Sequence, residues 1–172
     1  TAGGLVFVGG RHGAVEALDA ASGKPRWRAY TGGAVYFPPA ISRGRAFVGS
    51  ADGYVYALDA ATGRQVWRYR AAPADRLIPA YGRLTSTWPV AGGVVVQDGV
   101  VYAAAGIAHY DGTHVFALDA NRGEVMRVDT RPVESMFNDI APGPFVIYVH
   151  GYGEYFAKNC RRAALLQQRL VL

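Results

Sequence analysis

The chain has one cysteine, Cys160, among 172 residues. No disulfide can close within it, and a thiolate metal cluster is excluded. Lysine is scarce beside arginine, and the net charge is only +5. That surplus is spread as +3 over residues 1–130 and +2 over residues 131–172, with no dense basic stripe, so no nucleic-acid partner is expected. Long apolar runs are missing too. The longest, VAGGVVVQDGVVYAAAGIA, is broken by Asp98 and by glycines, and no membrane span is expected. No initiator methionine or signal segment leads the chain. Thr1 falls inside a patterned segment, and the expectation is that the fold starts ahead of it.

What is abundant is glycine, at 22 residues, interleaved with short bursts of valine, alanine and tyrosine. That pattern predicts many short strands and tight turns. One phrase recurs: ALDAASGKPRW from Ala17, ALDAATGRQVW from Ala57 and ALDANRGEVMR from Ala117. Ahead of each lies a second recurring strand: LVFVGG from Leu5, RAFVGS from Arg45 and VVYAAAG from Val100. Ahead of the last two lies a third, PPAIS from Pro38 and VVVQ from Val94. The middle copy parses as strands at about 39–42, 45–49, 54–58 and 64–70. Four antiparallel strands per unit of about 40 residues is the arithmetic of a β-propeller blade. The expected blades are residues 1–30, 36–70 and 90–130, the first without its opening strand. Closed propellers carry about 4–8 blades, so the prediction is a mainly β, partial (open) β-propeller of about three four-stranded antiparallel blades.

The repeated phrase reads as mechanical. Ala17, Ala57 and Ala117 let a neighbouring blade approach. Asp19, Asp59 and Asp119 accept hydrogen bonds from the turn amides, near Thr62 and Gly63 in the middle copy. Gly23, Gly63 and Gly123 supply a conformation that other residues resist. Trp27 and Trp67 lay an indole against the next blade while the N–H finds a polar partner. These positions form the expected blade-docking set.

The pattern A-x-D-x-x-T-G-x-x-x-W resembles the tryptophan-docking motif of quinoprotein dehydrogenase propellers. Together with VFVGG and AFVGSADGYVYALDAATGRQVWR, it resembles the PQQ-like repeat family over residues 4–130. That family includes quinoprotein alcohol dehydrogenases and assembly lipoproteins of the BamB kind. The resemblance implies an extracytoplasmic or periplasmic setting and, as partners, the remaining propeller blades or another protein. It implies a cofactor, pyrroloquinoline quinone with calcium, only for some members. The paired adjacent cysteines that some of them place on the quinone are absent here, and position 127 is arginine where the motif has tryptophan. The expectation is therefore a non-catalytic segment without cofactor, with no catalytic or metal residues named. A fragment of a quinone-dependent dehydrogenase is the alternative.

Two insertions interrupt the repeat, residues 71–92 and Gly106–Gly112, and both fall at the same end of the blades. Long loops on a rigid scaffold are where function concentrates. The candidate binding face is Arg76, Arg83, Trp88, His109, Tyr110 and Asp111. A packing role, with Trp88 and Tyr81 folded under the loop and the arginines solvated, is the competing reading. His12 aligns with Asp52 as a turn residue, and His114 opens a strand.

After Val128 the repeat stops. Residues 131–144 read as a linker. Residues 145–172 read as strand, turn and helix, with Phe156, Cys160, Ala163, Leu166 and Leu170 on one helical stripe. VIYVHGYGEYF followed by RRAA resembles the start of an α/β-hydrolase. That resemblance implies an oxyanion-type turn at His150, Gly151 and Tyr152. Gly153 stands where those relatives carry asparagine. No G-x-S-x-G elbow occurs, so this polypeptide is not expected to be a complete hydrolase. A propeller fused to the start of such an enzyme is the third possibility.

Overall fold

Glycine-punctuated alternation becomes, in the computed structural model, a series of short antiparallel strands. The structure describes residues 3–80, 82–106 and 112–129. All lie in the first of two units, Thr1–Pro132 and Val133–Leu172. The linker expected at 131–144 and the strand and helix expected at 145–172 lie outside the described residues.

The first sheet has three strands: β1 (Leu5–Gly9), β2 (Ala14–Asp19) and β3 (Pro25–Tyr30). The second has four: β4 (Ala40–Ser42), β5 (Arg45–Gly49), β6 (Tyr54–Asp59) and β7 (Gln65–Arg70). A two-stranded ribbon follows, β8 (Leu77–Ala80) and β9 (Arg83–Ser86). The last sheet again has four: β10 (Val95–Gln97), β11 (Val100–Ala105), β12 (His114–Asp119) and β13 (Val125–Asp129). Within each sheet the strands run in sequence order, and the opening strands β4 and β10 approach one another. Segment 71–92 is therefore not only a connection. It holds the β8–β9 ribbon, which the sequence reading treated as loop.

The registers superimpose the copies. Phe7 opposes Ala17, Phe47 opposes Ala57 and Tyr102 opposes Ala117. Each outer pair carries the same irregularity, after Ala17, Ala57 and Ala117. The extra residue is Arg26, Val66 or Met126. A bulge of this kind turns the next side chain, and here that side chain is Trp27, Trp67 or Arg127.

Two apolar cores lie between successive sheets. Phe7, Val15 and Trp27 meet Ala46, Val48 and Leu58 in one; Phe47, Val55 and Trp67 meet Val101, Phe116 and Leu118 in the other. The middle sheet is thus covered on both faces, and four consecutive residues of β5, Ala46 to Gly49, are buried. In β1 the same stretch buries Phe7 alone.

Candidate functional site

The three copies of the phrase fold into the same turn. Asp59 Oδ1 accepts hydrogen bonds from Ala61 N, Thr62 N and Thr62 Oγ1, the last two at 2.8 and 2.7 Å. Asp19 does the same with Ala21 and Ser22. These bonds, the side-chain hydroxyl first, hold both carboxyls below the ordinary aspartate value. Asp119 accepts from Asn121 N and Arg122 N, without a hydroxyl. Gly63 N turns instead to the main-chain carbonyl of Asp59, at 2.8 Å, so it is not among the amides that reach the carboxylate. Gly23 and Gly123 N make the same bond to Asp19 and Asp119.

The glycine of this turn has a second task that its conformation alone does not reveal. A Cβ built on Gly63 would lie 2.5 Å from Trp27 Cε3, and one on Gly123 would lie 2.6 Å from Trp67 Cδ2. The indole of one sheet rests flat against the bare glycine of the next. Its N–H donates to a carbonyl of the same turn: Trp27 to Ala60 at 3.0 Å, and Trp67 to Ala120 at 3.1 Å. On its own side each indole meets a phenylalanine, Phe7 at 5.9 Å and Phe47 at 5.8 Å between ring centroids. The second joint has an extra tie, because Arg45 donates to the Ala120 and Asn121 carbonyls, each at 2.7 Å. Leu5 occupies the matching place in the first sheet. Arg127, at the tryptophan position of the third sheet, is exposed.

The opposite end of the sheets is joined by backbone. Val35 N donates to Gly10 O of the preceding sheet's turn, while Ala34 O accepts from Ala51 N of the following one. The next connection repeats this pair: Val90 N to Ser50 O, and Gly106 N to Pro89 O. Gly9 and Gly49 make room for the two valines, since a Cβ on either would lie 2.5 Å from a valine Cγ1. The sequence shows these glycines only as a recurring strand ending; the need for them arises from a residue some 26 or 41 positions away.

The ribbon and its flanks sit at this end. Arg76 lies over the Trp88 ring, 4.7 Å from its centroid, and its Nε donates to Thr87 Oγ1 at 3.0 Å. Trp88 is half-buried and meets His114 edge-on at 6.5 Å. Burial holds the His114 pKa below the ordinary histidine value, which favours the neutral ring. Arg83, from β9, reaches the first sheet: it donates to the Arg11 carbonyl and lies 3.3 Å from His12 Nδ1. Arg76 and Trp88 are therefore together, and Arg83 is directed elsewhere. His109, Tyr110 and Asp111 lie outside the described residues, as do His150, Gly151 and Tyr152. Asp52 of the neighbouring turn accepts from Gly32 N at 2.8 Å and from the Tyr56 hydroxyl at 2.6 Å. Burial, with the carboxylate beside it, pushes the Tyr56 pKa up to about 12, so the phenol stays a donor. Among the described residues no three His, Cys, Asp or Glu side chains gather to hold a metal ion, and no helix is long and apolar enough to cross a membrane.

Residues 1–82 match a family model described as outer membrane protein assembly factor BamB. No curated protein matches the chain. Among solved structures, the quinohemoprotein alcohol dehydrogenase of Comamonas testosteroni is 25% identical with a TM-score of 0.63, over 74% of this chain and 19% of its own. A quinohemoprotein alcohol dehydrogenase of Pseudomonas putida HK5 is 25% identical with a TM-score of 0.62, again over 74% and 19%. A europium-containing methanol dehydrogenase is similar in fold, at 20% identity and a TM-score of 0.62, over 76% of this chain and 23% of its own. The chain thus spans about a fifth of the length of these enzymes. Residues 1–82 thus resemble PQQ-like, BamB-like repeats, and the described sheets share the fold of part of these β-propellers.

Proposed function

We propose that these blades form a non-catalytic scaffold whose inserted ribbon is a binding surface for a protein partner. In this reading the tryptophan, glycine and aspartate of the repeated phrase dock blade to blade, and the ribbon is free for recognition. One observation carries it: Leu77, Ile78 and Leu84 of the ribbon are 47%, 44% and 63% exposed. Leu77 directly follows Arg76, which stacks on Trp88. Aromatic residues and arginine are enriched at protein interfaces, and exposed apolar groups next to them supply the area that binding removes from water. The connection that carries the ribbon keeps the same backbone ties as the uninserted one, so the surface is presented without loosening the blades. The match to an outer membrane assembly factor supports an extracytoplasmic setting and a protein ligand.

A photo-reactive amino acid at position 84, compared with one at position 62 on the opposite end, tests this in envelope extract. Cross-links confined to position 84 are expected. Equal labelling at both positions, or none, would overturn the reading.

The similarity to quinohemoprotein alcohol dehydrogenases favours a second reading, a fragment of a quinone-dependent dehydrogenase. Against it, no three His, Cys, Asp or Glu side chains gather among the described residues to hold calcium, and the chain has a single cysteine. Incubation with pyrroloquinoline quinone and calcium, then desalting, tests it: retained quinone absorbance supports this reading, and a colourless protein counts against it. The hydrolase reading rests on residues 131–172, outside the described residues.

A further inference from the structure

The ribbon is held differently at its base and at its tip. At the base, Ser86 N donates to the Ala51 carbonyl in the middle sheet's turn at 2.8 Å, Thr87 N donates to Arg76 O at 2.9 Å, and Arg76 stacks on Trp88. Near the tip, where Ala80 opposes Arg83, the arginine supplies the tie. One Nη donates to the Arg11 carbonyl, and the other lies 3.3 Å from His12 Nδ1. Arg11 and His12 belong to the turn between β1 and β2. The ribbon thus reaches from the middle sheet's turn to the first sheet's. A two-stranded hairpin is marginal in water by itself, so what fastens its tip decides how firmly it is held.

That tie has a chemical condition. A guanidinium donates hydrogen bonds and never accepts them. The Arg83–His12 contact is therefore a hydrogen bond only while Nδ1 keeps its lone pair, with the ring neutral and its proton on Nε2. Protonation places an N–H at Nδ1 and sets one cation against another. The Arg11 carbonyl still accepts, but it lies one residue from the new charge. The surrounding groups bring no counter-charge to the ring. Its own turn adds the exposed Arg11 side chain, and Gly13 packs on the uncharged Thr31 and Gly33. On the ribbon side, Arg76 is turned to Trp88, and Asp75 is exposed ahead of β8. Glu16 of the same sheet is paired with Arg28, and Asp52 of the next sheet's turn is bonded to Gly32, Tyr54 and Tyr56. Among the described residues no carboxylate bonds His12.

We propose that Arg83 and His12 form a pH-sensitive clasp, which fastens the ribbon to the first sheet while the imidazole is neutral and lets the tip go when it is charged. The fastened state requires a neutral ring and the released state does not, so proton binding favours release. The clasp is complete on the alkaline side of the histidine range and weakens as pH falls through it. Histidine ordinarily changes charge between about pH 5 and 8, so the change lies where the rest of the fold keeps its carboxylates ionised. The clasp concerns how the ribbon is held and not what it binds, and it stands without the binding-surface reading. Where that reading also holds, a fastened ribbon presents its apolar residues preorganised, and release adds an ordering cost to binding.

A nitroxide at position 84, in a Cys160→Ser background, reads the tip by its electron spin resonance line shape. One at position 64, at the opposite end of the sheets, is the control. Leu84 and Arg64 are both exposed. Between about pH 8 and pH 5 the label at 84 is expected to become several-fold more mobile, while the label at 64 stays unchanged. His12→Asn keeps an acceptor oxygen near the Nδ1 place and takes up no proton, so its ribbon should stay slow across the range. Arg83→Gln should be mobile at both ends of it. No change with pH at position 84, an equal change at position 64, a change that persists in His12→Asn, or an Arg83→Gln ribbon as slow as the parent's overturns the proposal. Cross-linking from position 84 reads partner capture and not tip motion, so the two readings fail independently.

Discussion

Asp59 organises the turn on which the neighbouring indole rests. Its carboxylate is held below the ordinary aspartate value of 3.8 by the Thr62 hydroxyl and turn amides. Asp19 is held down in the same way by Ser22. A depressed folded value means that the stability tied to the charge is complete above the unfolded value of about 3.9. It is lost as pH falls through the lower folded value. The Asp19→Asn, Asp59→Asn double variant should therefore show a flatter fall in melting temperature below about pH 4 than the parent. An identical acid limb in both proteins would count against this. The indole itself is the larger contributor. Trp67→Ala removes a side chain that is 9% exposed, opens a cavity against Gly123 and strands the Ala120 carbonyl with Arg45 alone. The expected cost is about 3–5 kcal/mol in urea unfolding, and an unchanged midpoint would remove the docking role.

At the scale of elements, the connection between the two four-stranded sheets is an insertion placed just ahead of a repeated tie. Pro89 and Val90 make the same backbone bonds as Ala34 and Val35. Replacing residues 71–88 by Thr-Gly-Gly, the equivalent of residues 31–33, should leave a folded protein with the same strand content by circular dichroism. A modest loss is expected, because Ala71, Ala72 and Ser86 of the replaced segment are buried. Loss of cooperative melting would mean that the ribbon builds the joint and is not carried by it. The same region shows why the sequence was readable in places and not in others. The strands of the middle blade were placed within a residue or so, because alternation and glycine punctuation are local and occur in copies. The β8–β9 ribbon has no copy, and Pro79 interrupts its apolar run, so nothing local distinguished it from loop. Gly9, Gly49 and Gly63 were visible as recurring glycines. Their contacts with Val35, Val90 and Trp27 join residues far apart in the chain, and spacing does not encode such pairs. In the candidate face, Arg76 and Trp88 lie twelve positions apart and meet across the ribbon base, whereas Arg83 reaches Arg11 and His12 through tertiary folding alone.

At the scale of the whole described unit, each sheet touches its sequential neighbours, so stability is close to a sum of blade terms and joint terms. The middle sheet has both kinds of joint on both sides: an indole contributed and an indole received, a backbone tie at either end, and two apolar cores. The first sheet contributes an indole and receives none among the described residues, and β1 is the outer strand of a three-stranded sheet. Opening β1 therefore breaks one joint, while opening β5 and β6 breaks two. Local opening free energies follow the interactions that must be lost together. Native-state hydrogen exchange should give the slowest amides in β5 and β6 and faster exchange in β1, although the strands are alike in length and composition. Trp67→Ala, which cuts the second joint, should speed exchange in β5, β6, β11 and β12 and leave β1 and β2 largely as they were. Trp27→Ala should speed β1 and β2 together with the middle sheet. Uniform protection across the sheets, or equal acceleration everywhere from either substitution, would instead mean that the blades open as one cooperative body and that joint energies are not separable.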